Sequence, residues 1–279
     1  MTLLQPFIEF GFMRHALVAC LALALSATPL GVFLSLRRMS LVGDALSHAV
    51  LPGAAMGYLI SGLSLVAMGI GGLIAGLAVA LLSGAVSRYT PLKEDASFSG
   101  FYLGSLALGV TLVSLRGSSV DLLHVLFGSL LAVDNAALLL VGGIAAFTLI
   151  MLAIIYRPLV IDAFDADFLR AQGKWSAPLV HGIFLMLVVL NLVAGFQVLG
   201  TLMSVGLMML PATSARFWSR HLAWVLGIAM LLALFAALAG LMISWNCALP
   251  AGPSVVLSAA VLFLISVAVG PCGGLLRRR

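Results

Sequence analysis

An aspartate and a histidine stand four residues apart in an otherwise apolar run, Gly43-Asp44-Ala45-Leu46-Ser47-His48-Ala49-Val50-Leu51-Pro52-Gly53. In a helix that spacing is slightly more than one turn, so the carboxylate and the imidazole share a face. A carboxylate with a neutral imidazole suits a first-row divalent cation such as zinc, manganese or iron. The surroundings make the pair costly. An aspartate at the centre of a membrane helix costs roughly 2.5–3.5 kcal/mol on insertion scales. The bland alternative has Asp44 capping a helix start and His48 hydrogen-bonded to a neighbouring helix. Ser47 back-bonds to its own helix beside the break at Pro52.

Other candidates are fewer. Asn191 and Gln197 are polar residues inside a late apolar span. Asn191 could face a pathway or make an interhelical hydrogen bond. His15, His124, His181 and His221 fall near span ends, where an interfacial role is expected. Met203, Met208 and Met209 read as packing residues before they read as a soft-metal path.

The elements that position these residues follow from composition. Of 279 residues, 63% are hydrophobic and 8% charged, against about 25% charged in a soluble domain. This is an all-α, polytopic membrane protein, with residues 1–279 forming one transmembrane domain. Continuous apolar runs argue against a barrel, whose strands alternate. Nine segments qualify, at roughly 15–36, 40–61, 64–87, 96–115, 136–156, 177–198, 200–218, 222–245 and 253–271. Eight to nine crossings fit, because little more than Gly200 separates 177–198 from 200–218 and one of that pair could be half-length. The first run is too long for a signal peptide and is expected to be retained. The net charge of +5 reflects basic cytoplasmic loops rather than nucleic-acid binding. Cys20, Cys247 and Cys272 share no pairing or metal-binding spacing.

Lysine and arginine set the orientation. With the N-terminus outside and nine alternating spans, Arg37, Arg38, Arg88, Lys93, Arg157, Arg170, Lys174, Arg216, Arg220, Arg277, Arg278 and Arg279 lie inside. Only Arg14 and Arg116 lie outside. That bias predicts N-out and C-in. Residues 118–134 are left outside as an interfacial or re-entrant helix. Glycines at helical spacing, Gly53/Gly57, Gly72/Gly76 and Gly100/Gly104, suggest close helix packing.

The inner loop 157–176 could hold a short amphipathic helix, with Phe164 and Phe168 on one face and Asp165, Asp167 and Arg170 on the other, before Gly173. Such an element would dock a cytoplasmic subunit; the alternative is a solvated loop. No G-x-x-x-x-G-K-[ST] phosphate loop occurs, so the chain cannot power itself with ATP. No H-E-x-x-H or G-x-S-x-G occurs, so common intramembrane hydrolase chemistries lack their residues.

With these residues in hand, the chain resembles the membrane permease subunit of bacterial ABC importers for zinc, manganese and related metals, the ABC-3 permease family. The most specific block is Leu36 to Gly53. Further resembling blocks are Lys93-Glu94-Asp95, Leu126 to Val133, Phe164 to Gly173, Gln197 to Gly200 and Leu210 to Ala215. The loop block departs from the family form at Ala166, where a proline is common. The resemblance implies a type II importer-like homodimer in the bacterial inner membrane. It also implies two copies of a separate ATPase that bind ATP, and an extracytoplasmic metal-binding protein. It carries metal contact onto Asp44, His48 and Asn191. Zinc is the first expectation for the cargo, with manganese or iron as alternatives. A site that releases its cargo must bind incompletely or weakly, and protonation of His48 would compete with metal. A stand-alone secondary transporter or channel is the competing function. An intramembrane metalloenzyme is poorly supported, since only one ligand pair is visible.

Overall fold

A backbone inside hydrocarbon finds no water to bond, and a helix satisfies its N–H and C=O groups within one segment. The computed structural model describes residues 7, 9–62, 64–92, 94–115, 133–164, 168 and 177–277. These residues form nine α-helices and a short 3-10 turn, with no strand among them. The helices are α1 Gly11–Leu36, α2 Ser40–Ser61, α3 Leu65–Tyr89, α4 Glu94–Leu115, α5 Asn135–Phe164, α6 Ala177–Leu199, α7 Thr201–Ala215, α8 Leu222–Cys247 and α9 Ala251–Val269. They correspond one for one to the nine segments expected from hydropathy. The main difference is α5, which continues through Arg157 and Pro158 to Phe164.

Nine helices are not nine apolar crossings. Among the described residues, six helices are long and apolar enough to span a membrane: α1, α3, α5, α6, α8 and α9. Helices α2 and α4 have 22 residues each, and their polar residues lower their hydropathy. Asp44, His48 and three serines lie on α2, and Glu94, Asp95 and four serines on α4. Helix α7 has 15 residues, which at 1.5 Å per residue falls well short of the ~30 Å hydrocarbon core. It is the short element of the 177–218 pair. Gly200, with φ 84°, forms the sharp junction before it, a conformation that costs glycine nothing.

The helix ends sort into two groups. At one end His15 Nδ1 meets the Val133 carbonyl at 3.0 Å, and Phe10 packs on Trp245 at 4.9 Å. At the other, Arg37 contacts Asp162 and His181, Arg216 donates to the Ser35 carbonyl, and Trp218 donates to Ser266. Helices α1, α5, α7 and α9 therefore run one way and α6 and α8 the other.

Helix α1 contributes to all three buried clusters. Leu30, Phe33 and Leu34 pack with residues of α2, α5 and α6. Ala16, Ala19 and Leu23 pack with α5 to α9, and Val32 packs with α7 and α8. Large apolar side chains such as Ile60, Leu139 and Phe235 face outward, as a lipid environment permits. Because lipid is as apolar as leucine, helix association depends on close fit. The closest fit joins α2 and α3. A Cβ on Gly53 would collide with the Gly71 carbonyl, and one on Gly57 with the Ala67 carbonyl. Gly72 and Gly76 receive Val50 and Val189. Among the described residues nothing stands near a Cβ at Gly100 or Gly104, so the third glycine pair packs against none of them.

Overpacking at the α2–α3 crossing should cost about 1–3 kcal/mol. Gly53→Val is expected to lower the detergent melting temperature of the purified protein, whereas Gly100→Val leaves it nearly unchanged. Equal melting temperatures for the two variants would contradict this crossing.

Candidate functional site

Helix α2 starts at Ser40 after a cap at Met39 that makes no side-chain bond. Asp44 therefore lies a full turn inside and does not cap the helix. Ser47 Oγ donates to the Asp44 carbonyl at 2.7 Å. Pro52 lies within α2 and has no N–H for the His48 carbonyl. One residue further on, Ser105 Oγ of α4 donates to the Ala49 carbonyl at 3.2 Å, the type of side-chain repair that membrane helices use at prolines. Gly109 of α4 faces Pro52 closely: a Cβ there would stand 3.1 Å from the Pro52 nitrogen. The polar face of α2 is thus held by α4 on one side and by the glycine crossing with α3 on the other.

His48 Nε2 stands 3.8 Å from Asp44 Oδ1. That exceeds a hydrogen bond. Donors that share one ion at ~2.1 Å each lie about 3.0–3.4 Å apart at octahedral to tetrahedral angles, within a small rotamer change of the observed gap. The Asp44 side chain is 60% exposed and that of His48 25%. His48 Nδ1 is buried with no hydrogen-bond partner, so the interhelical hydrogen bond of the bland alternative is not made. The other neighbour of the ring is Tyr102 of α4, with centroids 5.6 Å apart and planes tilted by 39°. Among the described residues no third His, Cys, Asp or Glu joins the pair. One chain therefore offers an oxygen and a nitrogen, not a closed coordination sphere.

Asn191 lies elsewhere in the hydrogen-bond network. It is fully buried on α6. Its Oδ1 accepts from Ser26 Oγ of α1 at 2.7 Å. Its Nδ2 donates to Thr148 Oγ1 of α5 at 2.7 Å and to the Leu187 carbonyl at 2.9 Å. Both amide hydrogens are used. The arrangement is the interhelical hydrogen bond that the sequence offered as the alternative to a ligand. Met203 and Met208 are buried in the apolar clusters. Met208 also packs on Gly43, where a Cβ would approach its Cε to 2.8 Å.

Of the loop residues, Phe164 ends α5 with its side chain 71% exposed, and Phe168 is 52% exposed. Asp165, Asp167, Arg170 and Gly173 lie outside the described residues, as does most of the outer segment 118–134. The sequence reading missed one grouping. Arg37 counted only as an inner-side charge, yet its Nη2 bonds Asp162 Oδ2 and its Nη1 meets His181 Nδ1 at 2.7 Å. Its Cζ lies 4.9 Å from the Phe184 ring centroid. No local spacing links positions 37, 162 and 181, so only the packing of α1, α5 and α6 shows it.

If Asn191 is a structural bridge, Asn191→Leu should lower the melting temperature, at about 0.6–2 kcal/mol per lost interhelical bond. Equilibrium metal affinity of the purified complex should not change. A tenfold loss of affinity without a loss of stability would make Asn191 a ligand after all.

The ABC 3 transport family profile matches residues 9–270. The chain is 33% identical to the manganese transport system membrane protein MntC of Halalkalibacterium halodurans, over 97% of this chain and 91% of that protein. It is 28% identical to a probable iron transport system membrane protein of Haemophilus influenzae, over 95% of this chain and 96% of that protein. Among solved structures it superposes on PsaBC from Streptococcus pneumoniae, in complex with Fab, with a TM-score of 0.84 and 32% identity, covering 96% of this chain and 95% of that chain. The Asp44–His48 pair on a proline-containing helix, with no nucleotide motif in the sequence, therefore sits in a non-catalytic membrane permease chain that belongs to the ABC 3 transport family.

Proposed function

We propose that this chain is the permease subunit of an ATP-driven importer that moves a divalent transition metal across the bacterial inner membrane. The observation that carries the reading is the Asp44–His48 pair, a carboxylate open to its surroundings beside an imidazole whose Nδ1 is buried without a partner. Nε2 is the ring nitrogen on the carboxylate side, so it is the atom placed to share an ion with Asp44. The names of the relatives, manganese for MntC and iron for the Haemophilus protein, favour manganese or iron over the zinc first expected. Carboxylate oxygen suits manganese, and imidazole suits iron and zinc.

The incomplete ligand set supports a transient station rather than a resident metal site. A second copy of this chain would supply further ligands and cover the exposed Asp44. Two ATPase subunits, which bind and hydrolyse ATP, would rock the copies between outward-open and inward-open states. An extracytoplasmic binding protein would deliver the metal. The end of the bundle that holds Arg37, Asp162 and Arg216 is the cytoplasmic end in this reading, in keeping with the positive-inside bias. The segment after Phe164, with Asp165, Asp167, Phe168, Arg170 and Gly173, is the ATPase contact. The exposed Phe164 and Phe168 side chains suit a partner's groove.

Asp44→Ala or His48→Ala should abolish metal accumulation in cells while membrane insertion is normal. Uptake at the wild-type rate in either variant would remove the pair from the pathway. Competition among manganese, iron and zinc in the same uptake measurement identifies the cargo. Asp165→Ala together with Arg170→Ala should release the ATPase in a pull-down, and recovery at normal stoichiometry would count against docking there.

A further inference from the structure

We propose that Arg37, Asp162 and His181 are positioning residues that carry displacement of the end of α5 and the start of α6 to the metal-bearing helix, so that they set how tightly ATP use and metal movement are linked. The inference rests on the transport reading above and goes beyond it, because none of these side chains touches metal or nucleotide in that reading.

Three observations carry it. The first is where the guanidinium reaches. Asp162 lies in the last turn of α5, just ahead of the loop, and His181 lies in the second turn of α6, just after it. One guanidinium therefore holds both flanks of the loop at once. Since Nδ1 of His181 accepts from Arg37, that ring carries its proton on Nε2.

The second is where the guanidinium is rooted. Arg37 is the residue after α1, and α2 begins at Ser40. The reversal between them is tightly bonded. Met39 N–H donates to the Leu34 carbonyl at 2.9 Å and Arg38 N–H to the Ser35 carbonyl at 3.3 Å. Arg38 holds φ 62°. These are the two bonds of a Schellman ending, at a position where glycine normally stands. A displaced Arg37 thus moves the start of α2 with little slack, and Asp44 lies one turn inside that helix.

The third is the cost. Arg37 and Asp162 are each only 8% exposed at the side chain. A buried ion pair is weak evidence for stability, because packed apolar residues of similar volume often serve as well or better. What the charged fork supplies is a fixed geometry between two acceptors. That is what a link between two moving parts requires.

The test uses the permease–ATPase complex in proteoliposomes, with metal import and ATP hydrolysis measured together. The paired apolar variant Arg37→Met with Asp162→Leu removes both charges and leaves neither buried alone. Its complex should assemble, keep its melting temperature and bind metal as the wild type does. Metal imported per ATP hydrolysed should fall about tenfold or more, a usual size for a lost coupling. Arg37→Lys keeps the charge without the fork and should give an intermediate ratio; if the paired variant does not assemble, this ratio alone decides. A wild-type ratio in the assembled paired variant, or in Arg37→Lys where the paired variant does not assemble, overturns the coupling role. If instead the wild-type complex shows no metal-stimulated ATP hydrolysis, the transport reading falls and this inference with it.

Discussion

Hydrocarbon can neither bond a peptide group nor solvate a charge, and most features of this chain follow from that. Every described segment beyond the turns is helical because a helix closes its own backbone bonds. Among the described residues, two solutions for a polar side chain are visible: bonding across helices, and opening to another phase. Asn191 shows the first solution, with α1, α5 and α6 joined through one amide. Asp44 shows the second, since its carboxylate is exposed on the single chain. The same constraint makes the orphaned Nδ1 of His48 informative. In a soluble protein water could satisfy such an atom at small cost.

Packing in this environment is set by closeness of approach, not by burial of oily surface. The glycines of α2 and α3 bring the two backbones into direct contact. That crossing fixes one side of α2, and Gly109 with Ser105 of α4 fixes the other around Pro52. The site helix is therefore held firmly along its middle, while its start hangs from the Arg37–Met39 reversal. A rigid body with one movable anchor can tilt. In the proposed transport cycle, tilting would change the position of Asp44 relative to a second copy without breaking the α2–α3 contact.

The ends of α5 and α6 that flank residues 165–176 and the proposed metal pair lie toward the same end of the bundle. Arg37 is close to both: its side chain spans α5 and α6, and its backbone ends α1. In the transport reading the path from nucleotide to metal is then short. It needs no relay through the membrane interior.

The sequence by itself determined the fold class, the nine helical segments and the pair on the second of them. Those properties are local: apolar run length is a property of consecutive residues, and four-residue spacing places Asp44 and His48 on one face in any helix. The span count was only partly legible. Whether the 15-residue α7 crosses depends on burial by its neighbours, which composition does not record. The glycine pairs show the same limit, since identical spacing packs at Gly53/Gly57 and meets open space at Gly100/Gly104. Asn191 was a ligand candidate because polarity is visible in sequence and partners are not. Only the tertiary structure decided that Ser26 and Thr148 use its amide, and that Arg37, Asp162 and His181 meet. Those contacts join residues more than a hundred positions apart or on separate helices, and they are settled by how helices cross, not by what any one helix contains.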